Sequence, residues 1–176
     1  MCIRKANLMD ARGIAKVHVD SWRSTYKNII PDEFLRKLSY AERTDLWNRN
    51  ISKEGTHVYV ALNNAGEIVG FADCGKRESN NADNSGDITS IYLLEEYQGR
   101  GIGKQLLKQL FLQFEELDFT RIFVEVLENN KTRFFYEYYG ASLIKSEKIK
   151  IAGADLMMLT YEWSNIGEVL TKFDTV

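Results

Sequence analysis

The sequence predicts an α/β domain built on a mixed sheet, and three observations carry that prediction. A strand, a long amphipathic helix and an apolar strand follow one another at 87–94, 101–117 and 121–127, the order of a right-handed crossover between parallel strands. Strand-like runs before and after this unit are separated by short turns, as antiparallel hairpins require. The 176 residues, 44% apolar and 27% charged, suit one domain with a core of its own and leave no room for a second.

The elements follow in order. A short strand at 3–5 precedes a helix over about 10–26, a short helix after Pro31, and another near 41–51. Pro31 suits a helix start, where its missing N–H is no loss. Strands at 57–62 and 68–75 flank the turn Asn63-Asn64-Ala65-Gly66, and 76–86, rich in Asn, Ser and Asp, is expected as a surface loop before the strand at 87–94. The helix over 101–117 places Leu106, Leu107, Leu110, Phe111, Phe114 and Leu117 on one face, with Lys104, Lys108, Gln109 and Glu116 largely opposite. The strand at 121–127 is apolar enough for the middle of a sheet covered on both faces. A helix at about 132–139, a turn at Gly140 and a hairpin of strands near 142–151 and 154–163, turning at Ala152-Gly153, complete the domain. Residues 164–176 are set apart as a tail with Ile166, Val169, Leu170 and Phe173 at helical spacing. That face either packs on the chain's own domain or makes a homodimer contact.

Several function classes are disfavoured. The longest purely apolar run, at 58–62, is far below the roughly 20 residues needed to span a bilayer, and 1–5 lack a signal-peptide apolar region, so a cytoplasmic protein with no membrane partner is expected. Cys2 and Cys74 are too few for a disulfide framework or a cysteine zinc cage, and His18 and His57 are isolated, so no metal is expected. A net charge of −2 with no Lys/Arg block leaves no nucleic-acid footprint.

The most informative segment is Gln98-Gly99-Arg100-Gly101-Ile102-Gly103-Lys104, which joins a strand to the start of the long helix. Three glycines in five residues let backbone N–H groups converge on an anion, and the helix N-terminus adds attraction of roughly 0.3–1 kcal/mol per charge. Arg100 and Lys104 add positive charge. A glycine turn that merely lets helix and strand pack closely would use similar letters; the strand before, the helix after and the two cations favour the anion site. Three residues between Gly99 and Gly103, and Gln105 after Lys104, rule out a nucleotide-hydrolysing P-loop; the spacing GxGxG deep in the chain rules out a dinucleotide fingerprint.

With these residues in view, the chain resembles the GNAT superfamily of acetyl-CoA-dependent N-acetyltransferases. Gln98, Gly101 and Gly103 match its loop Gln/Arg-x-x-Gly-x-Gly/Ala, and Ser90-Ile91-Tyr92-Leu93-Leu94 resembles the strand that holds the pantetheine arm through backbone groups. Residues 126–137 resemble its Asn-x-x-Ala-x-x-Phe-Tyr segment, with the asparagine at Asn129, Thr132 in place of alanine, and the aromatic pair at Phe135 and Tyr136. Ala141 follows Gly140 where the family most often has a large apolar residue. The run 17–26 with 31–35 also resembles one branch of these enzymes, so the likeness spans 3–163.

The resemblance implies a mixed, mostly antiparallel sheet with a central parallel pair at the cofactor site and helices on both faces. It implies acetyl transfer from acetyl-CoA to an amine acceptor in a ternary complex. Ile91, Tyr92, Leu93, Gln98, Gly99, Arg100, Gly101, Ile102, Gly103, Lys104, Asn129, Phe135 and Tyr136 would then contact the cosubstrate. By the same resemblance Tyr136 is the general acid for the leaving thiolate, its phenol being suited to donate a proton. The base is open between Asp87, which opens the strand leading to the loop, and Asp73, in the strand expected beside it; either could equally be a solvated carboxylate. His18, Trp22 and Tyr26 share a helix face and are expected to border the acceptor pocket, with packing against the domain as the alternative. Cys74 is expected to be buried rather than nucleophilic. A catalytically silent acyl-CoA sensor is the rival function, and the identity of the acceptor is left open.

Overall fold

The computed structural model describes residues 1–174. Strands β1 (Cys2–Lys5), β2 (His57–Leu62), β3 (Ile68–Gly75), β4 (Ser85–Leu93), β5 (Arg121–Leu127), β6 (Ser142–Ile151) and β7 (Ala154–Trp163) form one sheet in the order β1-β2-β3-β4-β5-β7-β6. Every neighbouring pair is antiparallel except β4 and β5, which are parallel. The helices are α1 (Ala11–Thr25), α2 (Asp32–Lys37), α3 (Tyr40–Ser52), α4 (Ile102–Glu116), α5 (Thr132–Tyr138) and α6 (Ile166–Asp174). The mixed sheet with one parallel pair is the architecture expected.

Both faces of the sheet are covered. On one, Leu106, Leu107, Leu110, Phe111 and Phe114 of α4 are fully buried in a cluster with Ala72, Cys74, Ile88, Ile122 and Val124. Each such Leu or Phe contributes roughly 1.5–3 kcal/mol by leaving water. On the other, Ile14, Ala15 and Val17 of α1 and Trp47 of α3 pack on Val58, Val60 and Phe71. Local signals agree with this packing: Ser39 caps α3 by accepting from Glu42 N at 3.2 Å, and Ala152 and Gly153 take φ of 50° and 83° in the β6–β7 turn. The apolar side of α6 faces inward, where Phe173 stacks on Tyr139 with ring centroids 5.0 Å apart and also approaches Phe111.

Two differences from the sequence reading have identifiable causes. β4 starts at Ser85, because Ser85 and Gly86 pair with Arg121 and Ile122; their turn-like letters hide a strand. Gly86 is needed there, since a Cβ would lie 2.7 Å from the Phe119 ring and 2.8 Å from that of Phe114. Nor is β5 covered throughout: Arg121 and Glu125 are exposed and form ion pairs with Glu162 and Arg77.

The feature that positions the site is a bulge in β4. Cys74 pairs with Ile88 but Asp73 with Ser90, so Thr89 is an extra residue without a partner on β3. Side chains beyond it change sides. Ile91 and Leu93 join Ile88 in the α4 cluster, while Tyr92 packs into the clusters on the opposite face.

Candidate active site

β4 and β5 pair only from Ser85↔Arg121 to Ile88↔Val124 and then part. β4 runs on to Leu93 beside β3, and β5 runs on to Leu127 beside β7. The edge of β4 from Ser90 to Leu93 therefore has no ladder partner on β5, and its backbone groups are available to something lying between the strands.

Beyond Leu93 a short 3₁₀ turn, Glu95–Tyr97, intervenes before Gln98, so the strand does not run straight into the loop as the sequence suggested. Gly99 and Gly101 take φ of 69° and 77°, and a Cβ at either would meet nothing within 4 Å. The glycines thus serve backbone conformation and open space in front of the amides, not close packing. Helix α4 starts at this point with no capping side chain and no acidic residue in its first turn. Its N-terminal amides and dipole are oriented to receive an anion.

A cavity of about 400 Å³ joins this loop to the open edge of β4. Ile91, Tyr92, Leu93, Gln98, Gly99, Gly101, Gly103, Lys104 and Phe135 line it, as do Thr25, Thr132 and Tyr139, which the sequence reading missed. Ile102 is instead buried in the core, and Arg100 lies exposed with its guanidinium 5.3 Å from the Tyr97 ring centre. Asn129 is exposed on a neighbouring depression. Its neighbour Asn130 is the buried one: it accepts from Thr132 N at 2.9 Å and donates to Tyr26 Oη at 3.4 Å. Only the adjacent pair Asn129-Asn130 could have drawn attention to it.

Tyr136 is not among the residues that line the cavity: it is buried, in ring contact with the lining residue Phe135 and edge-on to Trp163. Burial, and then Tyr26 nearby, push its phenol well above the ordinary tyrosine range, so it stays protonated and able to donate. Tyr26 and Tyr92 share a hydrogen bond of 2.9 Å between their hydroxyls. Trp22 and Tyr26 back Tyr92 and do not line the cavity. His18 stacks on Tyr92 and accepts from Trp47 Nε1 at 3.0 Å on Nδ1. Burial, with help from the Arg43 charge, lowers its pKa to about 4, which leaves a neutral packing group.

The two carboxylates considered as bases have different surroundings. Asp87 accepts from Arg77 N and Asn80 Nδ2, each at 2.9 Å, and so ties down the 76–84 loop. Asp73 is buried on β3 and accepts from Ser90 Oγ at the point where β4 leaves β5. Burial raises its pKa to about 6, against the opposing pull of Ser90 and Arg77. Among the described residues no group of three His, Cys, Asp or Glu is placed to hold a metal ion, and no helix is long and apolar enough to cross a membrane.

A profile of the Acetyltransferase (GNAT) family matches residues 18–141, which contain the glycine loop, the parting strands and Tyr136. The chain belongs to the GNAT family. It is accordingly an N-acetyltransferase with acetyl-CoA as cosubstrate. It is similar to the uncharacterized N-acetyltransferase YuaI of Bacillus subtilis (strain 168), with 37% identity over 169 residues covering 96% of each chain. A spermine/spermidine N(1)-acetyltransferase of the same organism is 30% identical over 125 residues, 65% of this chain and 82% of that one. The fold matches that of the PaiA N-acetyltransferase from Thermoplasma acidophilum, a complex with coenzyme A, at a TM-score of 0.67 and 21% identity over 93% of this chain and 98% of that one. In this GNAT chain one cavity connects the uncapped start of α4 with the unpaired edge of β4, and the buried Asp73 lies outside its wall.

Proposed function

We propose that this enzyme transfers the acetyl group of acetyl-CoA to a primary amine of a small molecule, protein or peptide by direct attack in a ternary complex. The observation that carries the reading is the continuity of the donor cavity. The left-handed glycines 99 and 101 expose amides at the start of α4, and the same cavity reaches the unpaired edge of β4. Diphosphate binds at the loop, and the pantetheine arm lies along 91–93, with the thioester near the point of strand divergence.

There the amine nitrogen attacks the thioester carbon, forming the C–N bond as the C–S bond breaks. Backbone N–H groups of β4 stabilise the charge developing on oxygen. Attack requires a neutral amine, whose ammonium form has a pKa near 10 as for lysine. Asp73 takes that proton through Ser90 or a water, and its elevated pKa brings it closer to neutrality, where a base works best. Asp87, engaged by two donors, braces the loop instead. Tyr136 supplies a proton to the departing sulfur, and exchange with water restores both groups. Phe135 shapes the cavity in front of Tyr136, and Tyr26, Trp22 and His18 hold Tyr92 in place from behind.

Calorimetric titration with acetyl-CoA, followed by an amine panel read by mass spectrometry, tests the proposal. Saturable binding with acetylated product is the expected result. Absence of binding overturns it, and binding without turnover of any amine identifies the silent sensor.

A further inference from the structure

The wall of the donor cavity draws on three further elements besides the loop: Thr25 from the end of α1, Tyr92 from β4 and Thr132 from the start of α5. Side-chain hydrogen bonds run from one element to the next. Tyr26, the residue that closes α1, shares the 2.9 Å bond between its hydroxyl and that of Tyr92. Asn130 Nδ2 donates to the same Tyr26 oxygen at 3.4 Å, and Asn130 Oδ1 accepts from Thr132 N at 2.9 Å. The Asn130 backbone is itself fixed in the turn after β5, where its N–H donates to Leu127 O at 2.9 Å and its carbonyl accepts from Arg133 N at 3.2 Å. One phenol oxygen, Tyr26 Oη, thus joins α1 to both β4 and the start of α5.

The junction is buried among apolar groups. Tyr26 is 6% exposed and Asn130 7%, Trp22 packs edge-on to the Tyr26 ring with centroids 4.8 Å apart, and Ile30 and Leu127 share its cluster. Phenylalanine and leucine would fill the same space and bring no polar atoms to satisfy, whereas a buried polar network fixes one arrangement of the elements it joins. Here one of those elements carries Tyr136, which follows Thr132 by four residues, one turn along the same face of α5. Tyr26 is also close enough to act electrostatically on the Tyr136 phenol. A displacement of α5 by about 1 Å can cost on the order of 10²-fold in rate, because a proton donor must stand within hydrogen-bond reach of the atom it serves.

We propose that Tyr26 is a positioning residue for proton donation: through Asn130 and the first turn of α5, its hydroxyl sets where Tyr136 stands against a thioester held along β4. Tyr26 is not on the cavity wall and passes no proton itself. This rests on the acetyl-transfer reading above, with Tyr136 as the acid, and adds the group that orients that acid.

A double-mutant cycle provides the test. Tyr26→Phe keeps the ring on Trp22 and deletes the junction oxygen; Asn130→Ser keeps an oxygen for Thr132 N and no longer reaches Tyr26. Each is made in the wild-type and the Tyr136→Phe chain, with kcat for thiol release measured on hexylamine, spermidine and an alanyl tripeptide, and acetyl-CoA affinity measured by calorimetry. In the wild-type chain each substitution is expected to lower kcat about tenfold while acetyl-CoA affinity changes by less than about threefold. In the Tyr136→Phe chain the same substitution should cost less than about twofold, because the donor it places is already gone. Tyr26→Phe combined with Asn130→Ser should be no slower than either alone. Wild-type kcat in both variants, or an equal loss with and without the Tyr136 hydroxyl, as a purely structural role gives, overturns the inference. Tyr136→Phe at the wild-type rate, or an enzyme that binds acetyl-CoA and acetylates none of these amines, is a different outcome and overturns the reading beneath it.

Discussion

Replacing Asp73 with asparagine separates the energetic cost of this carboxylate from its chemistry. Burial lifts its pKa from 3.8 to about 6, and an asparagine keeps an oxygen that can accept from Ser90 Oγ. Below about pH 4 the carboxyl is protonated in both folded and unfolded chains, and its ionisation costs nothing. Between there and pH 6 the native protein retains a proton that the unfolded chain has released, so stability falls as pH rises, and the full penalty of ~3 kcal/mol is present above that window. Asp73→Asn should therefore be the more stable protein at pH 8 by up to ~3 kcal/mol and close to wild type near pH 4, as read by urea unfolding across pH.

Activity should move the other way. Loss of a general base costs about 10²–10⁴ in rate. The ratio of wild-type to variant kcat/KM cancels the titration of the acceptor amine itself. That ratio should fall about tenfold between pH 7 and pH 5, as a group with a pKa near 6 goes from mostly ionised to about one-tenth ionised. A variant that binds acetyl-CoA and turns over at the wild-type rate, or a ratio that stays flat across this range, would refute the assignment of Asp73 as base.

Tyr136→Phe should lower kcat by about 10²-fold with acetyl-CoA affinity nearly unchanged, because a proton donor is lost and the loop is untouched. Gly101→Val should weaken acetyl-CoA binding at least tenfold by calorimetry, about 1.4 kcal/mol. Gly66→Val, at a similarly left-handed residue with open space around it in the β2–β3 turn, carries the same kind of backbone strain and should leave binding intact. Phe173→Ala should cost about 3–5 kcal/mol of stability, since it empties the contact of α6 with Tyr139 and Phe111, and this can be measured by denaturant unfolding. The His18 ring should stay neutral down to about pH 4 in a proton NMR titration; a midpoint near 6.5 would contradict its packed environment.

The fold was legible where pattern and period are local. The apolar face of α4, the two hairpins and the Ala152-Gly153 turn all follow from short-range spacing, and the glycines of the 98–104 loop announce open backbone by their spacing alone. What was hidden depends on partners far along the chain. Thr89 becomes a bulge only through the register that β3 imposes, so simple alternation along β4 misassigns the sides of Ser90 and Ile91. Asp73 and Asp87 look alike as letters; burial beside Ser90 distinguishes the first, and donors from the 76–84 loop the second. Thr25 reaches the cavity because α1 ends there, beside Ile91–Leu93 of β4 and Thr132 of α5. In the same way Asn130, not Asn129, is the one turned inward, because its side chain both starts α5 and meets Tyr26.

A single supernumerary residue lets one ribbon of backbone serve two masters. Adjacent positions 90 and 91 thereby meet different surroundings: Ser90 turns its hydroxyl to the buried Asp73, and Ile91 lines the cavity at the glycine loop. In the proposed reaction the proton acceptor and the donor's channel are set by neighbouring residues of one strand, so a change at position 90 need not disturb the wall at position 91.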